Sequence, residues 1–348
     1  MPKVLIAEDS FVIRKIIRKI LEEVGFKIVA EVDNGLDAVA KTRVCKPDLI
    51  VMDVVMPKMD GLTALDQIMT TCPTKILLIS AYGPKYANIA FEAIERGAIA
   101  FISKPSGDQS LDYNFKEELQ TKAKACLEAK LGGYTQRSTA IYTSRKKRKK
   151  PIIQSQQLVI IGASTGGPKV VQELLSNLRT SFPPVIVIQH LPAGFSSTFA
   201  TRLDKMSKLK VIEAQTGMNL NLNTVYVAPG GTHLVFEEKN NRLEVYLYKG
   251  ERVNGVIPSL EPTIVSATYH YGKNVTLVVL TGMGTDGLAG ARYSKNYGAT
   301  ILAQDEASST IYGMPKAIVD AGLADIVANP KDIAAYLNVH FAKKPANI

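Results

Sequence analysis

Apolar and polar positions over residues 1 to about 130 alternate in blocks rather than residue by residue. Val4–Ala7, Lys27–Val32, Leu49–Met52, Ile76–Ile79 and Ile99–Ile102 are short runs rich in aliphatic and β-branched side chains. A helix-length stretch separates each run from the next, and runs of this kind read as strands buried on both faces. Ser10 can cap the first helix, which carries apolar residues at Ile13, Ile16, Ile17, Ile20 and Leu21, one face of a 3.6-residue period. Five βα repeats predict a doubly wound, five-stranded parallel sheet of the flavodoxin-like α/β class. Sites in such sheets lie beyond the carboxyl ends of the strands.

The block pattern then stops. Leu131-Gly132-Gly133 ends the fifth helix, Thr135 to Ser144 is polar, and Arg145 to Lys150 is an unbroken run of six bases followed by Pro151. This segment reads as an extended, charged linker. Strand-like runs resume at Leu158–Ile161, Val185–Ile188, Val225–Val227, Val275–Leu280 and Thr300–Leu302. Helices are predicted at Lys169–Asn177, Gly287–Asn296 and Pro315–Asp320. The expected organisation is a first α/β domain over 1–130, a linker over 131–155 and a second α/β parallel-sheet domain over 156–348.

Composition changes this picture little. Hydrophobic residues make up 46% and charged residues 21% of 348, which excludes a chain disordered throughout. No apolar run reaches the ~18 residues that span a bilayer, and the amino terminus meets Glu8-Asp9 too soon for a signal peptide. A cytoplasmic protein without membrane insertion is therefore expected. Three cysteines without C-x-x-C spacing argue against a disulfide framework or a cysteine-rich zinc site. The net charge is +10, but six of those charges belong to the one basic run, which makes them weak grounds for nucleic-acid binding.

Candidate chemistry gathers at predicted strand ends. Glu8 and Asp9 end the first strand, Asp53 the third and Ser80 the fourth, and Lys104 follows the fifth. Three carboxylates at one edge would repel without a cation, and hard oxygen ligands suit Mg²⁺. With that charge screened, Asp53 could attack a phosphoryl donor while Ser80 and Lys104 contact the transferred oxygens. On Glu8-Asp9-Ser10, Asp53 with Met56-Pro57-Lys58-Met59-Asp60-Gly61, Ser80-Ala81 and Lys104-Pro105, the first domain resembles the receiver domain of two-component response regulators. The resemblance implies that Asp53 is the phosphoacceptor, that Glu8, Asp9 and Asp53 hold Mg²⁺, and that Lys104-Pro105 is a cis bond.

In the second domain, Gly162-Ala163-Ser164-Thr165-Gly166-Gly167-Pro168 joins a strand to a helix. A G-x-S-x-G turn can expose a serine hydroxyl, although a glycine-rich turn of this kind also suits a nucleotide phosphate. His190 ends the following strand, where an imidazole can take and return the serine proton. Asp286 follows the strand at Val275–Leu280 and can orient that imidazole; its local alternative is a cap on the helix after Gly287. These residues form the expected Ser-His-Asp triad. Gly162 to Pro168, Gln189-His190-Leu191-Pro192, Tyr226 to Gly231, Leu280 to Gly284 with Asp286-Gly287, Ala303-Gln304-Asp305-Glu306 and Tyr312-Gly313-Met314-Pro315 together resemble the protein-glutamate methylesterase domain of bacterial chemotaxis, the CheB family. The resemblance adds the backbone N–H groups of Met283 and Thr165 as oxyanion contacts. The segment Ile257 to Pro262 and the pair Gln215-Thr216 depart from the family pattern, and both are expected to affect the substrate groove alone.

The resemblance implies a phosphorylation-activated hydrolase that removes methyl esters from glutamate side chains on the cytoplasmic domains of chemoreceptors. A second activity, deamidation of receptor glutamines, would use the same acyl centre. A chemotaxis histidine kinase is the expected partner upstream. Mg²⁺ is expected for receiver phosphorylation and no cofactor for the esterase step. Two rivals are a DNA-binding response regulator, which would use the basic run, and a noncatalytic nucleotide-binding sensor, which would use the glycine turn. The first conflicts with an effector so rich in strands, and the second leaves His190 and Asp286 without a task, so no DNA partner is expected.

Overall fold

The computed structural model describes residues 1–81, 84–104, 113–129, 157–239 and 242–342. It divides into two compact units, Met1–Gly133 and Tyr134–Ile348. The basic run Arg145 to Lys150, the glycines at 132 and 133 and the bond between Lys104 and Pro105 lie outside the described residues.

In the first unit β1 (Lys3–Ala7), β2 (Lys27–Val32), β3 (Leu49–Asp53), β4 (Lys75–Ser80) and β5 (Ala100–Ser103) form a parallel sheet in the order β2-β1-β3-β4-β5. Helices α1 (Phe11–Glu23), α2 (Gly35–Cys45), α3 (Gly61–Thr71), α4 (Pro84–Arg96) and α5 (Tyr113–Glu128) alternate with the strands. All five residues of β3 are buried, as expected of a strand covered on both faces. The Ser10 hydroxyl caps α1 by accepting from the Ile13 N–H at 3.4 Å, and Ile17, Ile20 and Leu21 are the buried positions of that helix. Each predicted strand is present, β2 with the predicted ends and the others with ends displaced by no more than one residue.

The second unit is built on seven strands: β6 (Leu158–Ala163), β7 (Val185–Gln189), β8 (Lys210–Glu213), β9 (Thr224–Val227), β12 (Val275–Val279), β13 (Thr300–Gln304) and β14 (Ile326–Ala328). They pair in parallel in the order β14-β13-β12-β6-β7-β9-β8. A separate antiparallel hairpin pairs β10 (His233–Lys239) with β11 (Arg242–Tyr248). The helices are α6 (Gly167–Ser176), α7 (Ser196–Met206), α8 (Leu260–Tyr271), α9 (Leu288–Asn296), α10 (Met314–Asp320) and α11 (Pro330–His340). β8, β14, the hairpin, α7, α8 and α11 go beyond the elements predicted from sequence. The sheet strands among them are short, and β8 alternates exposed and buried positions weakly, so little periodicity was available to read.

β6 is the central strand, with all six residues buried, and the chain leaves it toward β7 on one side and β12 on the other. That divergence opens a crevice at the carboxyl edge. Leu260, the first residue of α8, packs there against the backbone of β6 so closely that a Cβ at Gly162 would stand 2.2 Å from its Cδ2.

Gly162→Ala is accordingly expected to overpack the crevice floor and destabilise the second unit by ~1–3 kcal/mol. Leu260→Ala alone should cost ~2–5 kcal/mol through the cavity it leaves. The two changes together should cost clearly less than their sum, because the new methyl occupies part of that cavity. Urea unfolding of the four proteins measures the cycle, and simple additivity would contradict the contact.

Candidate active site

The three residues expected to act together follow three adjacent strands. Ser164 follows β6, His190 follows β7, and Asp286 lies on the loop after β12. The parallel register sets Ala163 beside Gln189, and the His190 N–H donates to the Ala163 carbonyl at 3.1 Å. The Ser164 N–H donates to the Thr281 carbonyl at 2.9 Å, which fastens the nucleophile turn to the β12 loop. Gly282 passes close enough that a Cβ there would lie 2.7 Å from the Ser164 Cβ. Close approach of these backbones therefore depends on the absence of a side chain at position 282.

His190 Nε2 and Asp286 Oδ2 are 2.8 Å apart, with the two side chains only 9% and 3% exposed. Asp286 is also held by three other donors. Oδ2 accepts from the Leu260 N–H at 2.7 Å, while Oδ1 accepts from the Ser259 hydroxyl at 2.6 Å and the Asn254 amide at 3.1 Å. Burial acts to raise the Asp286 carboxyl, but His190 and the Leu260 and Ser259 donors outweigh it and hold the group below the usual carboxylate range. An ionised Asp286 fixes the imidazole with Nε2 as its donor, which leaves Nδ1 as the ring nitrogen able to accept a proton.

Asp286 does not cap the following helix. Gly287 occupies the cap position of α9, and the Glu261 carboxylate accepts from the N–H groups of Gly287 and Ala289 at 3.0 Å each and from that of Gly290. A negative charge suits a helix amino terminus. Burial, with Asp286 nearby, raises the Glu261 carboxyl even against these donors. The segment Ile257 to Pro262, expected to shape the substrate groove alone, thus supplies the cradle of the acid. Pro258-Ser259-Leu260-Glu261 has the form of a helix start, and that signal could have located it. His233 is buried; its Nδ1 accepts from the Ser259 N–H at 3.2 Å, and its Nε2 lies 2.9 Å from the Glu251 carbonyl.

Both oxyanion candidates lie on this edge. Thr165 follows Ser164, Met283 follows Gly282, and among the described residues neither N–H donates to a protein acceptor. The Thr281 hydroxyl lies 3.0 Å from the Thr165 carbonyl and accepts from the Ile311 N–H at 2.9 Å, while the Thr281 N–H donates to Gln304 Oε1 at 2.7 Å. Thr281 is thus a buried node that joins three loops, and it was not singled out from sequence. Gln189 is 2% exposed; its Nε2 donates to the Ser164 carbonyl at 2.8 Å, while its Oε1 finds no partner among the described residues. Such an orphaned oxygen costs about 1–3 kcal/mol.

In the first unit, carboxylate oxygens of Glu8, Asp9 and Asp53 lie within 4.8 Å of one another at the carboxyl edge. Asp9 is exposed, whereas Glu8 and Asp53 are 0% and 3% exposed. The Lys104 ammonium donates to Glu8 Oε1 at 2.9 Å and to Asp53 Oδ2 at 2.7 Å. Burial, with Asp53 beside it, pushes the Glu8 carboxyl up to about 7. Burial also raises Asp53 against the pull of Lys104. For Lys104 burial acts downward, but pairing with Asp53 and Glu8 prevails and holds the ammonium above its usual range. Glu8 Oε2 is buried without a partner among the described residues. An all-oxygen donor set with one buried oxygen unmatched fits a hard divalent cation. Ser80 is fully buried at the end of β4, with its hydroxyl 3.4 Å from the Ala81 carbonyl.

Comparison with known proteins agrees with this division. Residues 159–337 match the family model described as CheB methylesterase, and residues 4–115 match the response regulator receiver domain. A protein-glutamate methylesterase/protein-glutamine glutaminase of Thermotoga maritima is 36% identical over 331 residues, 93% of this chain and 94% of that protein. A second so named, from Shewanella oneidensis, is 36% identical over 323 residues, 92% of each chain. The crystal structure of the Thermotoga maritima CheB methylesterase catalytic domain is 38% identical, covers 53% of this chain and 99% of its own, and superposes with a TM-score of 0.52. Neither a DNA-binding effector nor a nucleotide sensor is what the second unit matches. A receiver fold ahead of a seven-stranded parallel sheet, with the family model spanning that sheet, shows that the chain belongs to the CheB methylesterase family.

Proposed function

We propose that this chain is a protein-glutamate methylesterase of the chemotaxis pathway, acting on γ-methyl esters of glutamate in the cytoplasmic domains of chemoreceptors and controlled by phosphorylation of its receiver. The observation that carries the reading is the buried His190–Asp286 pair on the edge where the Ser164 turn ends the neighbouring central strand. Ser164 Oγ attacks the ester carbonyl as His190 Nδ1 takes its proton. The N–H groups of Thr165 and Met283 receive the negative oxygen of the tetrahedral intermediate. Collapse breaks the C–O bond to the methoxy group, His190 returns the proton, and methanol leaves. Water activated by the same imidazole then hydrolyses the acyl-enzyme and restores Ser164 with a free glutamate. A glutamine substrate would follow the same course with ammonia as the leaving group.

The receiver reading assigns Asp53 as phosphoacceptor, with Ser80 and Lys104 contacting the transferred oxygens and a kinase of the pathway as donor. Glu8, Asp9 and Asp53 would hold Mg²⁺, which when bound screens the charge that meets at Asp53. Lys104 already carries part of that task by bridging Glu8 and Asp53. Among the described residues no helix is long and apolar enough to cross a membrane.

Methanol release from a methylated receptor tests the chemistry. Ser164→Ala and His190→Ala should each lower kcat by ~10⁴-fold or more, and Asp286→Asn by roughly 10³–10⁴-fold, in proteins that remain folded. Wild-type turnover by Ser164→Ala would remove the nucleophile from this mechanism.

The metal reading has a pH signature. Glu8 ionises near 7 in the folded protein against about 4.5 when free, so the folded state binds the proton more tightly. In cation-free buffer the receiver should lose stability as pH rises from about 4.5 to about 7, by up to ~3 kcal/mol, and no further above that window. Mg²⁺ should restore the loss at pH 8. Glu8→Gln should flatten the pH dependence and blunt the Mg²⁺ effect in urea unfolding. A wild-type receiver with no slope in this window would contradict the reading.

Regulation is tested by turnover. A small phosphodonor with Mg²⁺ should accelerate demethylation, by up to roughly a hundredfold if the coupling reaches ~3 kcal/mol, and Asp53→Ala should abolish that response. If the unphosphorylated receiver restrains the esterase by covering it, deleting residues 1 to about 150 should raise basal activity. A folded catalytic unit no faster than the intact, unphosphorylated chain would rule out restraint by coverage.

A further inference from the structure

Gln189 stands one residue before His190, ends a fully buried strand, and has no task in the mechanism above. Its placement is nevertheless specific. The Ser164 carbonyl accepts two hydrogen bonds, from Gln189 Nε2 and from the Gly167 N–H, both at 2.8 Å. Only the NH₂ end of the amide can face a carbonyl oxygen, so the orientation of the Gln189 side chain is settled chemically. Its Oε1 is left unmatched as a result. The chain also makes room for this side chain: a Cβ at position 167 would lie 2.1 Å from Gln189 Oε1, and the residue there is glycine.

The Ser164–Thr165 peptide is trans, so its carbonyl and its N–H point in opposite directions across one rigid plane. Two donors draw the Ser164 carbonyl toward the buried side of the turn. The same two bonds must turn the Thr165 N–H away from the interior, and that N–H donates to no protein acceptor among the described residues. The Ser164 N–H, by contrast, is engaged by the Thr281 carbonyl and is unavailable to an oxyanion.

We infer that Gln189 is a positioning residue for the esterase step: through the Ser164 carbonyl it sets the tilt of the Ser164–Thr165 peptide and so aims the Thr165 N–H at the forming oxyanion. This rests on the assignment of Ser164 as nucleophile. A hydrogen bond that matters only as negative charge develops lowers the barrier without strengthening ground-state binding. The contribution of Gln189 should therefore show in kcat rather than in KM.

The test uses the full chain with Gln189→Met, which keeps the length and removes the donor, and Gln189→Glu, which sets an oxygen where the donor stood. The measurements are kcat and KM on a small methyl ester and the inhibition constant of a small boronic acid. Serine Oγ adds to the boron of that probe, its proton passes to His190, and the tetrahedral anion mimics the charged intermediate. Both variants should lose ~10- to 100-fold in kcat, keep KM within about twofold, and weaken the boronic acid by a factor comparable to the loss in kcat. Wild-type kcat in Gln189→Met, or a loss in kcat with unchanged boronic acid affinity, would overturn the proposal. Failure of both variants to fold would assign Gln189 to the fold instead. Ser164→Ala run in parallel separates the two layers. Hydrolysis by Ser164→Ala defeats the assignment of the nucleophile, whereas an inactive Ser164→Ala beside a fully active Gln189→Met defeats the role of Gln189 alone.

Discussion

A carboxylate taken out of water must be surrounded by donors before it can serve any other purpose, and the second unit is arranged around that requirement at Asp286. Four donors from three chain segments meet its two oxygens: the His190 ring, the Asn254 amide, and the Ser259 hydroxyl with the neighbouring Leu260 N–H. Each donor fixes the element it belongs to. Leu260 opens α8 and packs on the backbone of β6, while His190 follows β7. Losing one donor would leave a buried charge partly unmatched, so the loops converge on the acid as one set.

The two units place charge at the same topological edge and treat it in opposite ways. Asp286 is fully engaged and ionised, which makes it a fixed support. In the receiver, Glu8 retains an unmatched buried oxygen, its carboxyl is raised to about 7, and one lysine spans two acids. Incomplete compensation of this kind suits a site whose charge is meant to change. A satisfied network holds one geometry, whereas an unsatisfied one responds to an arriving cation or phosphoryl group.

Much of this was legible in the sequence because both sheets are parallel. Strands covered on both faces are written as unbroken aliphatic runs, and the polar residue that ends each run marks the active edge. Asp53 and His190 were singled out in that way, and Ser164 and Asp286 from the glycine-rich turns that follow such runs. The two edge strands of the seven-stranded sheet were not: Ile326–Ala328 is three residues long, and Lys210–Glu213 alternates weakly. The roles of Ser259, Thr281 and Gln189 were hidden for a different reason. A polar residue beside a strand end looks alike whether it faces solvent or a buried partner, and pairs such as Ser259 with Asp286 are distant in sequence. Ile257 to Pro262 was read as groove because its place beside the acid depends on the β12 loop, which no local pattern reports.

The position of β6 at the centre of its sheet has a consequence for the nascent chain. Its neighbour β7 follows after one helix, but its other neighbour, β12, pairs Val275 with Leu158, more than a hundred residues later. While a ribosome is still making the intervening segment, the strand that leads into Ser164 has one edge with no partner yet in existence. Long-range parallel pairing is slow to form even when the whole chain is present. The serine is therefore synthesised near the middle of the chain, but the crevice around it can close only once β12 and the loop that carries Asp286 have emerged, more than a hundred residues later.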